Sequence, residues 1–172
     1  MQPRGLDAVR PQARVLMLLM AGFALGLGLL VYASDRPAGS AMLLPRFATL
    51  RGGPLFGAVG SWLPSFVHPF AFGLLSAAAS RRRASPAYGV VAAWWAVNLA
   101  FELGQHPFIR TQVVQALQAG FGSHEPASAL SRYVVKGHFD AADVFALTAG
   151  ALAAAGVLRL LQPRENSHAR RP

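Results

Sequence analysis

Six polar side chains stand out in a chain that has few of them: His68, Asn98, Glu102, Gln105, Asp140 and Asp143. Asn98, Glu102 and Gln105 follow one another at steps of four and three, so on a helix they form a single stripe, which His106 continues. Glu102 is the pivot of that stripe. Its carboxylate has the chemistry of a general acid, a base or a cation ligand, or it fastens the loop that follows by pairing with Arg110, Lys136 or His106. Asp140 and Asp143 stand just ahead of an apolar run, where an acid caps a helix and suits its positive end. One Asp suffices for a cap, so Asp143, a turn deeper, has the stronger claim to a second role. His68 precedes Pro69 and reads either as a hydrogen-bonded core residue or as a pocket member facing Glu102 or Asp143.

The same inventory removes several kinds of chemistry. There is no Cys, which excludes thiol catalysis, Cys-ligated zinc, iron-sulfur clusters and c-type haem attachment. His68, Glu102, His138 and Asp143 are acceptable zinc ligand types, but no HExxH or comparable local pair exists, so no metal site is expected. His68 is the one histidine well inside an apolar segment, which argues against haem held by two histidines. No P-loop or GxGxxG is present, and no cofactor is expected.

The elements that must position these residues are apolar. Hydrophobic residues make up 53% of the 172, charged residues only 13%, and mean hydropathy is +0.37. Soluble domains carry about 25% charged residues. The charges divide the chain into blocks of bilayer-spanning length. Val15 to Ala33 holds 19 residues without a charge, enough to reach about 28 Å as a helix. Leu55 to Ala79 is also uncharged, but Gly57, Gly60, Pro64 and Pro69 disfavour a continuous helix. The expected span therefore starts at an N-cap on Ser65, with Leu55 to Leu63 as an interfacial approach and Trp62 at headgroup depth. The third span is expected over residues 88–104, with Trp94 and Trp95 facing lipid or packing. The fourth is expected over 141–161, where AGALAAAG supplies a close-packing face.

The fold class that follows is all-α: a multi-pass transmembrane bundle of about four spans over residues 15–161, between a basic N-terminus, 1–14, and a basic tail, 162–172. With the N-terminus cytoplasmic, 10 of the 16 basic residues fall inside, including the run Arg81, Arg82, Arg83 in a short loop. The formal charge of +9 is thus explained by orientation in a lipid bilayer, without nucleic acid. A competing reading takes the first block as a cleaved secretory signal, with Val31-Tyr32-Ala33 before the cleavage point; it would leave three spans and the same outer face. Between the third and fourth spans, residues 105–139 form a long outer loop. Ile109, Val113, Val114 and Leu117 recur on one face of a short surface helix there, with Arg110, Thr111, Gln112 and Gln115 opposite.

The stretch Asn98 to Gln105, followed by Gly137 to Gly150, resembles the VanZ-like family of small bacterial membrane proteins, named from a protein associated with resistance to teicoplanin. Glu102 and Gln105 match the family's E-x-x-Q at the end of a span. A later Gly- and Asp-bearing segment is matched in part by Gly137, Asp140, Asp143 and Gly150, with His138 for the customary Arg and Leu147 for Asn. An earlier D-K-x-x-H corresponds to His68, with Pro64 and Ser65 at the Asp-Lys positions. The resemblance spans about residues 65–161. It implies a four- or five-span protein of the bacterial inner membrane, acting on or binding an envelope component such as a lipid-linked precursor. The alternative is a non-enzymatic scaffold whose polar residues only fasten helix ends.

Overall fold

The computed structural model describes residues 11–35, 54–80, 84–122, 124, 125 and 127–161. The expectations for the basic termini and for Arg81, Arg82 and Arg83 fall outside the described residues, apart from the segment that begins α1. Six helices and no strand occur among the described residues: α1 Pro11–Ser34, α2 Ala58–Ala79, α3 Ala84–Gly104, α4 Pro107–Phe121, α5 Ala127–Lys136 and α6 Ala141–Leu161. The architecture is all-helical.

Three of these helices, α1, α2 and α6, are long and apolar enough to cross a membrane, which marks the chain as a membrane protein. Their outward faces agree with this. Leu19 and Phe23 on α1 and Phe145, Leu152 and Leu160 on α6 are exposed, an arrangement suited to lipid and unfavourable in water. The 21-residue α3 is long enough but carries Asn98 and Glu102 within its apolar run, and it is not among these three.

α2 begins at Ala58, not at Ser65, and runs straight through Pro64 and Pro69. Neighbouring helices make this tolerable: both prolines are buried, and lost backbone bonds cost less where packing compensates. Its start is held from outside. The Asp35 carboxylate, directly after α1, accepts the backbone N–H groups of Leu55 at 2.8 Å and Phe56 at 2.9 Å, and Gly57 turns the chain with φ 53°. The turn that leads into α2 is thus anchored at the end of α1, and Ser65 is left free for another partner.

α2 is the centre of the bundle, packed on α1, α3 and α6. Gly28 meets Val67 while Asp35 meets the start of α2, so α1 and α2 are antiparallel. Gly150 lies against the Phe66 carbonyl and Ala154 against Gly73, so α2 and α6 are parallel and very close. A Cβ at Gly150 would overlap that carbonyl. Small residues permit the approach: Ala71, Ala77, Ala146 and Ala154 are buried at these contacts, with Leu74, Phe70 and Met17 filling the core. α3 runs antiparallel to α6, joined by Trp95 Nε1 donating to Thr148 Oγ1 at 3.2 Å. Trp94 Nε1 likewise donates to Ser76 Oγ at 3.0 Å, and its ring stacks on Phe72. Both indoles are packing residues that fasten helices.

The long segment after α3 holds two helices where one was expected. On α4, Val113, Val114 and Leu117 are half-buried, but Ile109 is exposed and Arg110, expected on the opposite face, shares the half-buried stripe. No α4 residue is fully buried; the helix leans on α5 and on the end of α3.

Candidate functional site

The helix directions bring the C-terminal ends of α1 and α3 and the N-terminal ends of α2 and α6 to one end of the bundle. Most of the polar residues gather there. Glu102, 9% exposed, points from the last turn of α3 towards the start of α6. Its Oε1 accepts the backbone N–H of Asp140 at 2.7 Å. Arg110, Lys136 and His106 form no ion pair with it among the described residues. A carboxylate at a helix N-terminus is favourable electrostatically and satisfies a donor that the helix itself cannot.

Asp140 caps α6, its Oδ1 accepting from Ala142 N at 2.9 Å. Asp143, one turn along, accepts the Ser65 hydroxyl at 2.6 Å and so ties α6 to α2. Glu102 lies within electrostatic range of both aspartates. Each of the three carboxylates commits one oxygen to a hydrogen bond, while Glu102 Oε2, Asp140 Oδ2 and Asp143 Oδ2 accept none among the described residues. Three acceptor oxygens thus remain at one end of the bundle.

Gln105, 6% exposed, reaches back to the Phe101 carbonyl at 3.3 Å, interacts with Tyr133 on α5, and lies flat over Gly137. Any side chain at position 137 would occupy the space of the amide. Gln105 thereby holds the C-terminal end of α5 against α3. His106 caps α4, Nδ1 accepting from Phe108 N at 3.4 Å, and its ring meets Phe139 edge-on.

Two expected members stand apart. Asn98 donates to the Trp94 carbonyl of its own helix at 2.7 Å. His68 makes no hydrogen bond with Glu102 or Asp143 among the described residues; its ring lies 6.0 Å from Phe72, on the side of α2 that faces α3. No group of three His, Asp or Glu residues able to hold a metal occurs among the described residues.

Two contributors escape the sequence pattern. Ser65, expected as an N-cap, gives no sign of its bond to Asp143 until its partner across 78 positions is known. Asp35 carries a signal that can be read: an acid at a helix C-terminus is disfavoured by the helix dipole, so it must find donors elsewhere. Burial pushes its pKa up, but the Ser34 hydroxyl and the amides of Leu55, Phe56 and Gly57 together hold it below the usual aspartate value.

Comparison with known protein families, with curated proteins and with solved structures found no match.

Proposed function

We propose that the chain is a VanZ-like protein of the bacterial inner membrane, with α3 as a fourth span, both termini cytoplasmic, and the Glu102 end of the bundle facing outward as a binding site for a lipid-linked envelope component. The observation that carries this reading is the gathering of Glu102, Gln105, Asp140 and Asp143 at one end, with one oxygen of each carboxylate uncommitted. Those oxygens are acceptors for the hydroxyl, amide or amine donors of a headgroup lying at the membrane surface. Burying a carboxylate such as Glu102 beside an apolar span is costly, and such groups mark sites of function.

A second reading, a scaffold or assembly partner without a ligand, is favoured by the bonds themselves: Glu102 to Asp140 N–H and Ser65 to Asp143 fasten helix ends. Expression in a teicoplanin-challenged bacterium separates the two. Under the binding reading, Glu102→Gln and Asp143→Asn abolish any change in susceptibility at unchanged membrane abundance. If abundance falls in parallel with the phenotype, the scaffold reading stands. Accessibility of single Cys residues introduced at Gln118 and Ser80, in a chain with no native Cys, tests the orientation.

A further inference from the structure

Beside the polar end, α4 and α5 fold back along the last turns of α3 and enclose an apolar groove of about 580 Å³. Phe101, Leu117, Phe121, Leu130 and Tyr133 line it, with the small Ala127 and Ala129 between them. The volume is in the range of small-molecule sites, about 300–1,000 Å³. Phe101 and Tyr133 meet edge-on at 5.9 Å, closing one wall. We infer that this groove holds one hydrocarbon chain of a membrane lipid with an anionic phosphate headgroup.

Three observations select that occupant. The groove opens at the level of Phe101, one turn before α3 ends, and the exposed Val97, one turn earlier on the same face of α3, continues its apolar surface along the span. Phe121, which lines the groove and is itself exposed, carries the same surface onto α4. A groove continuous with a lipid-facing surface is filled from the lipid. Second, the lining offers scarcely any polar group apart from the Tyr133 hydroxyl, which suits methylenes and excludes a sugar or peptide. Third, the hairpin carries Arg110, Arg132 and Lys136 against one acid, Glu125, which is already paired with Arg132 at 2.6 Å. Arg110 lies two turns before Leu117 on the same stripe of α4, and Lys136 lies one turn beyond Tyr133 on α5. The two cations therefore stand at the same end of the antiparallel hairpin, with no acidic partner among the described residues.

This inference rests on the proposed orientation only in placing the groove in the outer leaflet; the groove itself is tested separately. Purified protein in phosphatidylcholine nanodiscs is irradiated with trace phosphatidylglycerol bearing a diazirine on one acyl chain, and the labelled residues are mapped by mass spectrometry. Label is expected to concentrate on Phe101, Leu117 and Tyr133 rather than on the lipid-facing Leu19 and Phe23 of α1. Ala129→Trp, which fills the groove, and Leu117→Gln, which makes it polar without crowding, both lower groove labelling severalfold and leave α1 labelling unchanged. Arg110→Gln with Lys136→Gln removes the preference for the phosphatidylglycerol probe over a diacylglycerol probe. Uniform labelling of groove and α1, or labelling insensitive to all these variants, overturns the inference. Cytoplasmic accessibility of Gln118→Cys with groove labelling intact would instead overturn only the orientation.

Discussion

The backbone N–H of Asp140 donates to Glu102 Oε1 at 2.7 Å, so the end of α3 caps the beginning of α6. The bond crosses the whole α4–α5 excursion and fixes where that excursion leaves and rejoins the bundle. The carboxylate adds to the local cap that Asp140 provides and leaves its second oxygen available.

Glu102→Ala should therefore lower stability by about 1–3 kcal/mol, because it strands a donor at the α6 N-terminus. Glu102→Gln, which keeps an acceptor at the same place, should recover most of that. Thermal unfolding in mild detergent, with both variants beside the wild type, measures the difference; equal melting of all three would show that the bond contributes nothing.

Gly150→Ala should destabilise by about 1–3 kcal/mol, since the new methyl meets the Phe66 carbonyl and forces α2 and α6 apart. Gly89→Ala is the matched control: nothing lies within 4 Å of its Cβ, and Ala is the better helix former by up to about 1 kcal/mol. The two variants should shift the melting temperature in opposite directions.

Asp35 predicts an acid-sensitive link between α1 and α2. Its pKa in the folded state lies below the usual aspartate value, so its contribution is complete above that value and is lost as pH falls through the depressed one. Asp35→Asn, unable to charge, should melt lower than the wild type at neutral pH. The gap should close as the medium is acidified into the carboxylate range, read from melting curves across pH.

Ser65→Ala removes the hydroxyl that Asp143 accepts and should cost about 1.5–3 kcal/mol, the range for hydrogen bonds to charged groups. If Asp143 also binds a ligand, Ser65→Ala leaves it an unrestrained carboxylate and alters affinity as well as melting. Measuring both on one preparation separates fastening from binding.

How much of this was legible in the sequence depended on whether the signal was local. The apolar blocks around Val15 to Ala33 and Ala141 to Leu161 coincide with α1 and α6 because nothing interrupts them. α2 starts earlier than its prolines suggest because helix-breaking is a cost that burial on three sides can offset, and the neighbours that bury it lie far away in sequence. Asp140 as a cap follows from its position before an apolar run; Glu102 as a cap for the same helix does not, since no spacing rule joins residues 38 positions apart. The stripe of Asn98, Glu102 and Gln105 is real helical geometry, yet Asn98 turns to its own backbone, because a carbonyl one turn back is always within reach of an amide.

The parallel packing of α6 on α2 also carries a statement about biosynthesis. α2 leaves the ribosome well before α6, with α3, α4 and α5 made between them. Through that interval the glycine- and alanine-rich face of the central helix can have only lipid beside it, Ser65 has not met Asp143, and Glu102 has no amide to accept. α6, the last of the described helices, is the one that completes the core, so a chain halted before Ala141 would be integrated into the bilayer yet unassembled, the kind of intermediate on which membrane quality control acts.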